Sequence, residues 1–457
     1  MRKIKIHFLG AAGTVTGSKF YLETPELNIM IDCGMFQGIK ELRELNWQPI
    51  PTDVTNIDVV LLTHGHLDHT GYLPRLLMQG FLGKIIGTAP TLAITEIILR
   101  DSAKIHEEEA EKANEGGFSK HQPALPFYTL SDAEKTLGLF RSQEEEQWEH
   151  LSEHIRCRFV ANGHIIGSCF IELEIFGKLF VFSGDIGRLE DHLLAPPKRP
   201  KWADYLFMES TYGHKLHPKE NLDNILVSLI KETITNRGTL IIPSFAVERL
   251  QSLMYLLWTL YRKNKIPNIP IFVDSPMGNN VLSVFERFPR WHKLPMAEYS
   301  AMCNHINIIS SYADTWKTID DARAKIVIAG SGMVTGGRVL TYLKQLMDNT
   351  NTTVLLVGYQ AEGTRGRLLL EGTHELKIYG KYIPVKAKIH HLESLSAHAD
   401  QAELIYWASG ITNVPEGIFL IHGEPTSLNG LRVKMKDTFG WEAHIPSLNE
   451  VVEITIP

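Results

Sequence analysis

His64-Gly65-His66-Leu67-Asp68-His69 places four metal-ligand side chains in six positions at the mouth of an apolar run. Imidazole suits zinc and similar borderline cations, and a carboxylate among histidines favours a site that activates water over a closed structural one. A polar surface loop is the plainer alternative. With 20 histidines in 457 residues, however, chance would produce this arrangement in roughly one chain in a few hundred. The hexapeptide therefore reads as half of a two-metal site. Before it, Ile57 to Thr63 is nearly all apolar and of strand length; after it, His69 to Leu77 switches to helical spacing. The ligands thus sit where a strand gives way to a helix, and loops outside the carboxyl ends of strands are where α/β sheets place their sites.

A chain of 457 residues exceeds the usual single domain, so two cores are expected. Hydrophobic residues at 44% and charged residues at 21% fit a soluble globular protein and exclude extensive disorder. No signal-peptide core or membrane span is read, and a cytoplasmic protein is expected. Cys33, Cys157, Cys169 and Cys303 are far apart with no C-x-x-C pair, which excludes a disulfide framework or cysteine zinc site and fits a reducing compartment. The net charge of -6 does not announce a nucleic-acid binder, so a phosphate-rich substrate would have to be held by local cations, bound metal included.

Strands are expected at 4–9, 19–23, 28–32, 57–63, 84–87, 155–160, 169–176 and 178–183. A helical insertion is expected between 90 and 150, with Ser131-x-x-Glu134 as a capping box. Glu107 to Glu111 reads as a solvated helix face. From about Asn221, helices alternate with buried strands at 239–243, 269–273, 325–329 and 353–357, a parallel βαβ rhythm. After Pro384 the pattern reverts, with strands at 385–391, 417–421 and 451–456 and helices at 401–408 and 428–439.

Two metals about 3.5 to 4 Å apart need more donors than the hexapeptide holds. Asp32, His164 and Asp185 each follow an apolar strand or stand in a Gly-flanked turn, and Asp32 reads as orienting a ligand rather than binding metal. Singly each would be an ordinary turn former. Glu209 ends Tyr205-Leu206-Phe207-Met208-Glu209, His398 lies in Ser396-Ala397-His398, and His422 precedes Gly423-Glu424.

This set resembles the metallo-β-lactamase fold, and specifically its β-CASP branch of nucleic-acid hydrolases. The motifs of that branch are an acidic residue, a His in a Ser-Ala-His context and a His before Gly-Glu, matched in order by Glu209, His398 and His422. The resemblance runs along essentially the whole chain, including 331–338 and 358–366, and is closest to prokaryotic relatives of the endonuclease subunit that cleaves messenger-RNA precursors. No KH module is read before the first strand and no long extension after the last. The resemblance implies an α/β protein: a metallo-β-lactamase αββα sandwich made of 1–207 and 384–457, with a β-CASP domain, a parallel sheet flanked by helices, inserted at 208–383. It also implies two Zn²⁺ per chain. His64, His66 and His164 would hold one, Asp68, His69 and His422 the other, with Asp185 bridging.

The expected activity is that of a zinc ribonuclease, acting in RNA processing and cutting single-stranded RNA endonucleolytically. A hydroxide shared by the metals would attack phosphorus, and His398, oriented by Glu209, would protonate the leaving ribose oxygen. Asp32, Asp68, Asp185, Glu209 and His398 form the expected catalytic set. Ser331 and Arg338, then Ser244, Arg365, Arg249 and Arg367, are candidate phosphate contacts, each following a βαβ strand or opening a helix. Tyr212 and Tyr359 read as core, and His121, His214, His390 and His391 are assigned no role. A 5′-exonuclease, a DNA nuclease, a hydrolase of small thioesters or lactones, and a silent scaffold are the alternatives. Oligomeric state, a homo-oligomer included, is left open.

Overall fold

The computed structural model describes residues 1–116 and 121–456. The chain divides into two compact units: Met1–Asp191 with Ala195–Leu216 and His398–Pro457, and His192–Leu194 with His217–Ala397.

Two sheets build the first unit. One runs, in spatial order, Val451–Ile456, Arg2–Phe8, Phe20–Glu23, Ile29–Ile31, Val59–Leu61, Lys84–Gly87 and Phe140–Ser142. The other runs Gly417–Ile421, Tyr205–Glu209, Lys178–Phe182, Cys169–Ile175, Ile155–Ala161 and Glu149–His150. Alternation along Arg2–Phe8 turns Ile4, Ile6 and Phe8 inward. Phe8 and Phe20 then meet the second sheet, where Phe182, Phe207 and Phe419 stack at centroid distances of 4.2 and 4.8 Å. On the outer face of the first sheet, Leu73, Leu76 and Leu99 come from helices Leu73–Met78 and Ala89–Gly116. On that of the second, Leu404, Trp407, Leu428 and Leu431 come from Gln401–Ala408 and Pro425–Phe439. The layers are helix, sheet, sheet, helix, each sheet burying both faces. No helix of the described residues is long and apolar enough to cross a membrane.

The second unit is an α/β body around the order Asn307–Ile308, Ile271–Asp274, Lys325–Ala329, Thr239–Pro243, Thr352–Val357 and Lys388–Leu392, every neighbour parallel. Its central strands Lys325–Ala329, Thr239–Pro243 and Thr352–Val357 are buried along their whole length, as helices on both faces require.

Two local expectations are corrected. The capping box of Leu130–Leu137 is Thr129 with Asp132, not Ser131 with Glu134; Ser131 lies inside the helix, and Glu134 instead pairs with Arg100 at 2.8 Å. Lys388–Leu392, expected to return to the first unit's pattern, pairs in parallel with Thr352–Val357. Tyr205–Glu209 meanwhile stays in the first unit between Lys178–Phe182 and Gly417–Ile421. The main segment of the second compact unit runs from His217 to Ala397. Strand composition alone does not say which sheet a strand joins.

Candidate metal centre

Four strand ends of the first unit deliver the donors, and two more deliver Glu209 and Asp32. Val59–Leu61 leads into His64, His66 ends its non-helical approach at the start of the one-turn helix Leu67–Thr70, and that turn carries Asp68 and His69. Ile155–Ala161 leads to His164 through Gly163 at φ 66°, and Lys178–Phe182 leads to Asp185 through Gly184 at φ 54°. Tyr205–Glu209 pairs in parallel with Gly417–Ile421, with Glu209 opposite Ile421, so His422 follows beside Glu209. Ile29–Ile31 ends before Asp32, which like His422 has a left-handed backbone, φ 56° and 48°. Strained conformations of this kind persist where the surroundings over-determine them, and they cluster at functional sites.

The donors converge in two groups. His64 Nε2 and His164 Nε2 lie 3.1 and 3.2 Å from His66 Nδ1. His422 Nε2 lies 3.4 Å from His69 Nε2 and 3.5 Å from Asp68 Oδ2. Asp185 joins them: its Oδ2 is 3.5 Å from both His64 Nε2 and His164 Nε2, and its Oδ1 is 3.4 Å from His69 Nε2 and 3.5 Å from His422 Nδ1. Within each group the ligand atoms lie within 4.8 Å of one another.

This donor set fits metal. Burial, then neighbouring imidazoles, hold His64 well below its usual pKa, and burial holds His66 at about 4, so both present lone pairs. Asp185 is buried, yet it is held well below the carboxylate range because the surrounding imidazoles outweigh burial. Its Oδ1 is buried without a hydrogen-bond donor. Imidazole nitrogens that face one another at 3.1 to 3.4 Å repel unless a cation or a proton lies between them, and clustered buried carboxylates need the same neutralisation.

Supporting residues fix the rings. Asp32 Oδ2 lies 2.7 Å from His69 Nδ1 and accepts from Thr63 Oγ1 at 2.8 Å, while its Oδ1 accepts from the Thr63 backbone N–H at 2.8 Å. Thr63 Oγ1 is also 3.1 Å from His64 Nδ1, and Thr211 Oγ1 is 3.2 Å from His422 Nδ1. Asn162 Nδ2 donates to the Ser183 and Asp185 carbonyls at 2.6 Å each. Thr63, Thr211 and Asn162 were assigned no role from sequence; the signal available was adjacency, since each stands within two residues of a donor or of Glu209.

Beside the two groups stands a third. His398 Nδ1 is 3.2 Å from Glu209 Oε1, and His398 Nε2 is 3.9 Å from Asp185 Oδ2. Glu209 is immobilised: Oε1 accepts from the Ile186 N–H at 2.6 Å and Oε2 from the Thr211 N–H at 3.1 Å. Burial alone would lower the His398 pKa, but the Glu209 and Asp185 carboxylates outweigh it and raise it.

The candidate phosphate contacts lie in the second unit, each with a partner there. Ser244 Oγ donates to the Phe245 carbonyl at 3.0 Å. Ser331 Oγ accepts from the Thr335 and Gly336 N–H groups at 3.1 and 3.2 Å. Arg338 donates to Thr315 Oγ1 at 2.7 Å and lies 4.6 Å over the Tyr312 ring, and Arg365 donates to the Lys377 and Thr335 carbonyls at 2.7 and 3.1 Å. Arg249 is likewise engaged, donating to the Val357 carbonyl at 2.7 Å, and Arg367 pairs with Glu371 at 2.7 Å. Of the unassigned histidines, His391 Nε2 meets the Gly358 carbonyl at 2.9 Å and His214 Nδ1 meets Ser427 Oγ at 2.8 Å.

Comparison with known proteins gives three family matches: the metallo-β-lactamase superfamily over residues 13–216, the Beta-Casp domain over 250–369, and the Zn-dependent metallo-hydrolase RNA specificity domain over 382–446. A ribonuclease of Thermus thermophilus is 33% identical over 453 residues, covering 97% of this chain and 99% of its own. An RNase J-like protein of Methanocaldococcus jannaschii is 30% identical, covering 92% and 93%. The transcription termination factor FttA of the same organism is 27% identical, covering 99% and 72%. Among solved structures, a protein of unknown function from Enterococcus faecalis covers 99% of this chain and 100% of its own at a TM-score of 0.56 and 13% identity, a likeness of fold. The chain belongs to the β-CASP branch of the metallo-β-lactamase superfamily and is one of its hydrolytic nucleases.

Proposed function

We propose that this nuclease is a zinc-dependent ribonuclease that cuts single-stranded RNA internally, in the cytoplasm. The observation that carries the reading is His398, whose Nδ1 rests on Glu209 and whose Nε2 faces Asp185 at the rim of the donor cluster. Relatives named as ribonucleases support RNA as the substrate. The four free cysteines suit a reducing compartment.

Two divalent cations, one on His64, His66 and His164 and the other on Asp68, His69 and His422 with Asp185 shared, would supply Lewis acidity and bring the pKa of a water molecule toward neutrality. The protein's own part is orientation and proton transfer. Asp32 and Thr63 fix His69 and His64, and Asn162 fixes the turn of Asp185. Glu209 stabilises the doubly protonated ring of His398, which gives its Nε2 proton to the leaving ribose oxygen and keeps Nδ1–H on Glu209. Ser331, Arg338, Ser244 and Arg365 would act on RNA through the loops they shape in the second unit, since their side chains are already engaged there.

Zinc-loaded protein incubated with single-stranded RNA labelled separately at each end tests this reading. Internal fragments from both labels are expected. Mononucleotides released from the 5′ end alone would indicate an exonuclease, and equal cutting of DNA a broader nuclease. Inert RNA with thioester cleavage would overturn the proposal, as would less than about one zinc per chain in an inactive protein.

A further inference from the structure

The hairpin Glu375–Ile378 and Lys381–Pro384 of the second unit was not read from the sequence. Its register pairs Ile378 with Lys381 and Lys377 with Tyr382, leaving Tyr379-Gly380 as the turn. Both turn residues have positive φ, 47° and 77°. A two-residue turn of that form favours Asn-Gly, and a bulky side chain in its first position is strained. Burial does not compensate: Tyr379 is 58% exposed and Tyr382 61%, while Leu376 and Ile378 on the other face anchor the hairpin in the core.

Cations accompany both rings. Lys377 Nζ lies 5.5 Å from the Tyr382 centroid and Lys344 Nζ 5.6 Å from that of Tyr379. Of the neighbouring charges, Arg367 pairs with Glu371, Lys386 with Asp348 and Lys388 with Glu232, while Glu375 in the hairpin is exposed. Among the described residues neither Lys344 nor Lys377 makes an ion pair. In a chain of net charge -6 such an unpaired basic patch is a local departure. Arg365 ties the hairpin, through the Lys377 carbonyl, to the Val334 and Thr335 carbonyls in the loop that follows Lys325–Ala329. The Lys377 carbonyl is thereby joined to a loop at the carboxyl edge of the parallel sheet, the edge at which such sheets bind ligands.

We propose that Tyr379 and Tyr382 stack bases of a single RNA strand, with Lys344 and Lys377 meeting the flanking phosphates. Exposed ring faces beside ammonium groups match the alternation of base and phosphate along a strand, and stacking accepts any base. The proposal rests on the ribonuclease reading above and names where its substrate is held.

The test is the double variant Tyr379→Asn with Tyr382→Thr. Asn suits the turn and Thr the strand, so the fold is retained and the melting temperature is unchanged or higher. With a 20-nucleotide oligouridylate, KM is expected to rise roughly ten-fold or more at unchanged kcat. Hydrolysis of bis(p-nitrophenyl) phosphate should stay at the wild-type rate. An unchanged KM on a folded variant would overturn the platform, and equal losses on both substrates would reduce the tyrosines to a structural role and overturn it too. Lys344→Gln with Lys377→Gln should lower the salt dependence of binding by about 0.7 in slope for each phosphate no longer neutralised, and an unaltered slope would contradict the role of these lysines. Wild-type protein that neither cuts nor binds the oligouridylate would instead refute the ribonuclease reading itself.

Discussion

Asp32 Oδ2 lies 2.7 Å from His69 Nδ1, with both side chains only 2% exposed. That contact commits one ring nitrogen of His69 and directs the other at Asp185. Asp32→Asn tolerates the left-handed backbone but exchanges an acceptor for a donor. Zinc affinity, read by competition with a chromophoric chelator, should fall roughly 10- to 100-fold. Unchanged affinity would remove Asp32 from the ligand-orienting role.

His398 and His66 should separate chemistry from metal binding. His398→Asn is expected to lower kcat on RNA by roughly 10²- to 10⁴-fold at unchanged zinc content. His66→Asn should lose both activity and metal, because His66 Nδ1 sits between His64 and His164. Elemental analysis beside single-turnover kinetics checks the pair.

Gly34 has no room for a side chain: a Cβ there would stand 1.5 Å from the Asp68 carbonyl oxygen and 2.1 Å from its carbon. Gly34→Ala must push the loop carrying Asp68 and His69, and a destabilisation on the order of 3 kcal/mol with loss of zinc is expected. Gly336, with nothing within 4 Å of such a Cβ, is the control whose alanine variant should melt like the wild type. Thermal melts followed by circular dichroism report both.

The hexapeptide and the three distant motifs, which the structure brings together, stood out because potential metal-ligand residue types rarely recur at such spacing, whatever sheet carries them. Strands 239–243, 325–329, 417–421 and 451–456 were likewise legible as bounded apolar runs, and they form with those limits. Lys388–Leu392 was misplaced because a half-exposed strand with two histidines looks the same in either unit. The hairpin at 375–384 escaped because its turn carries Tyr-Gly where Asn-Gly would have announced it. Ser131-x-x-Glu134 matched a capping pattern two residues past the actual cap, Thr129. Thr63 and Asn162 stayed silent since a hydroxyl or amide acting on a ligand carries no spacing rule.

His106 offers a titration away from the metal ligands. It packs edge-on against Phe127 and Tyr128, at 5.7 and 4.9 Å, and burial pushes its pKa down to about 4. The unfolded chain takes the proton first, near pH 6.5, so the neutral ring's contribution is whole above pH 6.5 and is lost as pH falls from there through 4. After allowance for its partial exposure the effect is on the order of 2 kcal/mol. In His106→Gln the decline in unfolding free energy between pH 6.5 and 4 should flatten by that amount, as urea titrations at a series of pH values would show.

The sharing of Asp185 between two donor groups is tested most directly by anomalous scattering at the zinc edge from crystals grown with zinc. Two peaks are expected, one on His64, His66 and His164 and one on Asp68, His69 and His422, each reaching a different oxygen of Asp185. A single peak, or none between these side chains, would contradict the account.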